Sequence, residues 1–304
     1  MSLALHSSLL AGAMAVTVTD SPNDTKVRSE MLVTTQWLAD HLKDPNIIVL
    51  CVAGSPGFYS EGHIPGARWI NLADIVTKRG DVPNELPPVE QLVKVFSAAG
   101  VTRNARIILY GDDYNLLAAR AYYTLDYLGL ADHAAILDGG LNKWKNEVRP
   151  IMTAAPEPNS GKIDAHINEK ILVDTPAMRA IAHDSKHDAK HPALLDARPF
   201  GEYTGERHSA DVHKLGHIPG AKHLYWQDLL VSREDPILLP PVDLRKKFEA
   251  AGAAPGSQVI TYCRSGMQSS FDYFVAKYLG YDARMYDASF FEWSAEDLPS
   301  ETSK

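Results

Sequence analysis

Residues 258–274 read QVITYCRSGMQSSFDYF, an apolar run that closes on Cys263 and passes through Arg264, Ser265 and Gly266 into a helical pattern. A thiol in that position can act as a nucleophile. The N–H groups of a short loop feeding a helix N-terminus converge above the strand end, where the helix dipole adds positive potential. With Arg264 alongside, such a setting favours thiolate over thiol. Ser269 and Asp272 form an S-x-x-D capping pattern, which predicts a helix beginning at Ser269. Phe271, Phe274, Val275, Tyr278 and Leu279 then fall on one helical face. The competing reading is a packed strand-end cysteine without chemistry. It gives no reason for a glycine loop, an arginine and a helix start to coincide. A C-x5-R phosphatase would need an arginine six residues after the nucleophile to fork onto phosphate, and position 269 is serine.

The elements that must hold this loop occur twice. GHIPGA stands at 62–67 and 216–221, and LPPVEQLVKVFSAAG (86–100) is matched by LPPVDLRKKFEAAG (239–252). RIILYGDDYNLLAARAYYTLDYLG (106–129) parallels QVITYCRSGMQSSFDYFVAKYLG (258–280), and ILDGGLNKWKN (136–146) parallels MYDASFFEWSA (285–295). Four blocks kept in order indicate a tandem duplication. Strand-like runs (NIIVLCV, PALLDA, ARIILY, SQVITY, AAILD) alternate with helical ones, two of which close at Gly100 and Gly252. The expected fold is therefore α/β with mainly parallel sheets, whose sites lie at the carboxyl ends of strands.

Aligned through these blocks, Gly111 falls on Cys263, with Asp112 and Asp113 on Arg264 and Ser265. The first copy is read as catalytically silent, a partner domain that packs against the second and walls one side of its cleft. Cys51 aligns with Asp196 and reads as a buried strand residue. His63 and His217, in GHIPGA, belong to a motif that survives where the cysteine does not, so a structural turn explains them. His183, His187 and His191 are spaced by four but lack cysteine or carboxylate partners in register, which argues against a metal site.

Composition removes other classes. A chain of 304 residues with 45% apolar and 22% charged residues suits two ordinary domains. The net charge of −8 offers no basic footprint for nucleic acid, so an anionic ligand must be held by local groups. No apolar run is long enough to span a membrane, and two cysteines make no disulfide framework. Residues 1–30 read as a flexible leader or a weak signal-like segment. It carries Ala13-Met14-Ala15 but no Lys or Arg ahead of its apolar part. The leader reading places the protein in the cytoplasm, and the signal reading in the periplasm.

With GHIPGA, LDARPFGEY, YCRSG and YDASFFEW in this order, the chain resembles the rhodanese family from about residue 33 to 297. These are the two-domain thiosulfate and 3-mercaptopyruvate sulfurtransferases. The resemblance implies two tandem rhodanese-like domains, each a mainly parallel sheet flanked by helices. The silent one spans 31–150, a linker 151–166, and the catalytic one 167–304. It also implies that Cys263 takes a sulfur from thiosulfate or 3-mercaptopyruvate as a persulfide and passes it to cyanide or a thiol. No metal or organic cofactor is implied, nor any partner beyond this small anionic donor and the acceptor, in a monomer or weak homodimer. Cys263 matches the family nucleophile, and residues 263–268 its active-site loop. Arg264, Ser265, Gly266, Met267 and Gln268 would then surround the substrate. Arg198 matches the substrate-anion arginine and is expected to line the cleft, with Asp196 and Ser269 supporting the loop. Arg207 resembles a second arginine of the mercaptopyruvate branch. Arg264 follows the thiosulfate-type start, Gln268 departs from both branches, and Asp287-Ala288 replaces the usual Asp-Gly. The alternatives are an enzyme preferring 3-mercaptopyruvate and a non-catalytic sulfur-binding or regulatory module.

Overall fold

A computed structural model of the chain describes residues 26–112, 114–157, 159–183, 191–207 and 209–303. The leader through residue 25, with Ala13-Met14-Ala15, lies outside them, as do Asp113 and His187. In the first copy the elements are β1 (Leu32–Val33), α1 (Thr35–His41), β2 (Ile47–Ala53), α2 (Pro56–Ser60), β3 (Arg68–Asn71), β4 (Thr77–Arg79), β5 (Val82–Glu85), α3 (Val89–Ala98), β6 (Arg106–Gly111), α4 (Leu116–Tyr127), β7 (Ala134–Leu137) and α5 (Gly140–Asn146). The second copy has α6 (Thr175–His183), β8 (Ala193–Asp196), α7 (Phe200–Thr204), β9 (Lys222–His223), α8 (Pro241–Ala250), β10 (Gln258–Tyr262), α9 (Met267–Tyr278), β11 (Asp282–Met285) and α10 (Ser289–Ala295).

Each copy builds one parallel sheet, ordered β1-β7-β6-β2-β3 in the first and β11-β10-β8-β9 in the second. Strands such as β6 and β10 are buried along nearly their whole length, as expected where helices cover both faces. The antiparallel hairpin β4–β5 stands apart from the main sheet and reaches toward the second copy, where Val82 joins a cluster with Phe290 and Trp293.

α4 and α9 are equivalent helices and pack on each other. Tyr122 meets Phe274 edge-on at 5.0 Å and Tyr123 meets Tyr273 at 5.2 Å, geometries that aromatic quadrupoles favour. Tyr273 donates to Asp126 at 2.6 Å, and Lys277 pairs with the same carboxylate at 2.9 Å. One apolar cluster runs through this seam from Leu50 in the first copy to Met285 in the second. The linker is a strap held along its length: Met152 exchanges 2.8 Å backbone bonds with His63, and Gly161 donates to Ser97 at 2.7 Å.

Both GHIPGA segments are buried turns. His63 stacks on Tyr59 and His217 on Tyr203, with each Nδ1 against the backbone carbonyl of its own tyrosine. The next amides, of Ile64 and Ile218, donate to the hydroxyls of Tyr110 and Tyr262 at the strand ends. No helix among the described residues is long and apolar enough to cross a membrane.

Candidate active site

β10 delivers Cys263 to the carboxyl edge of its sheet, and the chain turns through Gly266, at φ +81°, directly into α9. The helix therefore begins at Met267, two residues before the predicted Ser269 cap. Ser269 and Asp272 point inward. Ser269 Oγ donates to Cys263 Sγ at 3.5 Å. Neither oxygen of the fully buried Asp272 finds a hydrogen-bond partner among the described residues, and burial, with repulsion from Asp196 and Asp228, raises its carboxyl well above the usual range. A glycine that adopts the left-handed turn unaided removes the need for a side-chain cap.

Ser289 is the residue that sequence reasoning missed. It sits at φ +58°, and its hydroxyl accepts from the amides of Cys263 and Gly266, each at 3.1 Å, while donating to the Tyr286 carbonyl at 2.9 Å. One hydroxyl thus ties both ends of the loop to the β11–α10 junction. Further bonds from Phe290 N to the Cys263 carbonyl and Phe291 N to the Arg264 carbonyl complete the anchor. The available signal was the aligned pair Gly140 and Ser289: glycine at +54° in one copy marks a left-handed position that serine fills in the other.

This anchoring leaves the amides of Arg264, Ser265, Met267, Gln268 and Ser269 without backbone acceptors among the described residues. They line the loop that leads into the N-terminus of a twelve-residue helix, next to Cys263, which is 1% exposed. Met267 and Gln268 are half-buried. A Cβ on Gly266 would lie 2.2 Å from Asp287 Oδ1 and 2.9 Å from the Asp287 carbonyl oxygen. Gly266→Ala is therefore expected to lower stability by about 2–4 kcal/mol, from left-handed strain plus a backbone clash, and turnover by more than about tenfold. Thermal unfolding and initial rates measure the two; a variant matching the parent in both would refute this account of the loop.

The arginines do not stand where the sequence suggested. Arg198, expected to line the cleft, is 1% exposed and forked onto Asp196 through Nε (2.9 Å) and Nη2 (2.6 Å). It also donates to the Gly216 carbonyl at 2.8 Å, and Phe290 lies 4.1 Å over it. A guanidinium without a carboxylate could not be buried at this cost, so the pair goes in together. Asp196 in turn accepts from Tyr262, at the strand end before Cys263, at 2.7 Å. In the first copy, strand register puts Cys51 where Asp196 stands and Ala53 where Arg198 stands, so the pair is absent as a unit. Arg264 turns away from the thiol to Glu202 on α7, with Nε 3.4 Å from Oε2 and a shorter bond from Nη2 to Oε1. Ser265 Oγ accepts from Asn84 of the β4–β5 hairpin at 3.0 Å. Arg207 is exposed, runs along Gly201 of α7 and makes no ion pair among the described residues.

The first copy closes its loop differently. From Gly111 to Asn115 it is one residue longer than Cys263 to Gly266. Asn115, at φ +68°, accepts from Gly111 N at 3.0 Å and donates to the Leu137 carbonyl at 2.8 Å. Those are the bonds that Ser289 makes in the second copy, and Gly140 leaves the room for them, since a Cβ there would meet Asn115 Oδ1 at 2.7 Å.

A cavity of about 920 Å³ lies on the first copy between β3, α3 and the strap and does not include Cys263. A second, about 440 Å³, lies between the copies behind Asp287 and includes Arg79, Glu85 and Glu292. Burial, then the charge of Asp287, pushes the Glu85 carboxyl up to about 7, opposed by Arg79 at 3.3 Å. Because the folded pKa exceeds the unfolded one, the folded chain holds a proton that the unfolded chain has released. This contribution to stability is present at pH 4 and lost as pH rises to about 7. Glu85→Gln should remove that slope and be relatively more stable than the parent at pH 8 than at pH 5, by about 2 kcal/mol. Urea unfolding at both pH values measures it, and an equal difference at both would contradict it.

Comparison with known proteins agrees with this architecture. Residues 34–147 and 179–296 match the rhodanese-like domain. The chain is 32% identical over 274 residues to the sulfur carrier protein TtuD of Thermus thermophilus, covering 87% of this chain and 93% of the relative. It is 30% identical to a putative thiosulfate sulfurtransferase of Synechococcus elongatus, covering 89% of this chain and 84% of that one. A probable 3-mercaptopyruvate sulfurtransferase of Pseudomonas aeruginosa is 31% identical, with 87% and 95% covered. Among solved structures, the 3-mercaptopyruvate sulfotransferase SseA from Escherichia coli superposes with a TM-score of 0.75 at 24% identity, over 85% of this chain and 98% of that one, a likeness of fold.

Proposed function

The chain belongs to the rhodanese-like domain family, and from that premise we propose that it is a sulfurtransferase in which Cys263 carries the sulfur. The observation that supports this reading is a buried thiol in a loop whose remaining amides have no acceptor among the described residues, at a helix N-terminus, in one copy of a duplicated fold. The Cys263 thiolate attacks the outer sulfur of thiosulfate. The S–S bond of the donor breaks, sulfite leaves with its electron pair, and the enzyme holds a cysteine persulfide. An acceptor thiolate or cyanide then attacks the terminal sulfur, and the Cys263 thiolate leaves. The loop amides and the α9 N-terminus stabilise the negative charge on the incoming and the persulfide sulfur, and they need no reorganisation to do so. Ser269 Oγ donates to Sγ and holds it in place.

With Arg198 and Arg264 each occupied by a carboxylate, the donor's charge falls mainly to the backbone. A second reading, preference for 3-mercaptopyruvate, is favoured by Arg207, a cation beside α7 with no acidic partner among the described residues. In that case the C–S bond of the donor breaks, and the pyruvate enolate that leaves takes up a proton. Mass spectrometry after thiosulfate addition tests the common step, the expected result being one added sulfur on the Cys263 peptide and none on the Cys51 peptide. An unmodified Cys263 peptide would overturn the reading, and steady-state rates with the two donors decide between the branches.

A further inference from the structure

The first copy has Gly111 where the second has Cys263, yet it reaches the loop of the second with two side chains. Arg120, on α4, is fully buried and forks onto Asp287 with Nη1–Oδ1 at 2.5 Å and Nη2–Oδ2 at 3.1 Å. The same Nη1 lies 3.4 Å from the Gly266 carbonyl, and Nη2 donates to the Asn84 carbonyl. Asn84 stands at φ +61° in the hairpin, and its side-chain amide donates to Ser265 Oγ at 3.0 Å. Asp287 is the residue against which Gly266 packs. Cross-copy contacts therefore grip Ser265 and Gly266, the half of the loop that Ser289 ties only through an amide.

The duplication supplies an internal control. α4 and α9 are both twelve residues long, and the position equivalent to Arg120 is Phe271. The counterpart of Asp287 is Asp138, which meets no arginine among the described residues; it accepts from Leu238 N at 3.0 Å, and Phe271 lines the same small cavity with Asn115. A buried bidentate pair costs desolvation on both partners and is seldom a net gain in stability. Its presence only beside the loop that carries a thiol indicates a positional role.

We propose that Arg120 and Asn84 are positioning residues for sulfur transfer, through which the first copy fixes the curvature of the Ser265–Gly266 segment and thereby aims the loop amides. The proposal rests on Cys263 being the nucleophile. Its test uses full-length Arg120→Lys and Asn84→Ala, assayed for kcat, KM, thermal stability and the rate of Cys263 alkylation by iodoacetamide, with Cys51 resolved by peptide mass spectrometry. Arg120→Lys keeps the charge but loses the fork, and kcat should fall about tenfold; Asn84→Ala should lower kcat about threefold. KM should stay within about twofold and alkylation should quicken about threefold or more as the sulfur loses cover. Loop exposure rising while turnover falls, in Asn84→Ala at unchanged melting temperature, is the signature of positioning. If Arg120→Lys does not fold, Asn84→Ala decides. Parental kcat and alkylation rate in Asn84→Ala would overturn the proposal, even with a lowered melting temperature in Arg120→Lys. If the parent itself transfers no sulfur, the functional reading fails, while alkylation still reports on the loop.

Discussion

Cys263→Ser is expected to abolish sulfur transfer, lowering kcat by at least about 10³-fold while the fold persists. The reason is chemical. A serine hydroxyl is scarcely ionised at neutral pH and attacks sulfur poorly, and no oxygen analogue of the persulfide can serve the second half of the cycle. The change is small in volume at a site 1% exposed, and the amide bonds to Ser289 do not involve the side chain. Melting temperature should therefore move by only a few degrees. Cys51 cannot substitute: burial pushes its thiol up to about 12, and it lies in the core of the first copy. Cys51→Ala should keep the parental rate per folded molecule. Thiocyanate release from thiosulfate and cyanide measures both variants, and a Cys263→Ser enzyme retaining a tenth of parental turnover would refute the assignment.

The second large effect is on stability. Arg198→Ala leaves the Asp196 carboxylate buried with Tyr262 and the Arg198 backbone amide as its remaining donors, and should cost about 3–5 kcal/mol. A residue serving chiefly to hold the donor would instead raise KM at unchanged stability. The first copy shows what a neutral replacement looks like, with Cys51 and Ala53 at the two positions. Asp196→Cys combined with Arg198→Ala should therefore be more stable than Arg198→Ala alone, by about 2 kcal/mol. Chemical denaturation of the parent, the single variant and the double variant checks this. If the double variant is the least stable of the three, the ion pair is not a unit.

Much of this arrangement was legible in the chain because it is local. Apolar runs and glycine punctuation record which segments become buried strands and where helices stop, and Gly100 and Gly252 do close their helices in left-handed conformations. The cysteine loop was visible as a strand end followed by a glycine. What escaped depends on partners far apart in sequence. Nothing near Arg198 says that its guanidinium folds back onto Asp196, since a cleft arginine and a buried one have the same neighbours in sequence. Arg264 and Glu202 meet only when α7 is laid beside β10, and Arg120 and Asp287 only when two domains dock. The S-x-x-D pattern misled because capping depends on the preceding turn, and Gly266 had already made that turn.

The use of Asn115 in one copy and Ser289 in the other bears on how interchangeable the two loops are. In the first copy an amide reaching from the loop makes the bonds that, in the second, a hydroxyl makes from the opposite side, and the loop is one residue longer. Placing a thiol at position 111 alone would therefore not reproduce the loop of the second copy. The Asn115 side chain, the extra residue and the absent carboxylate–arginine pair would each have to change with it, and a serine at position 140 would collide with Asn115. The two loops are separately closed, and no single exchange converts one into the other.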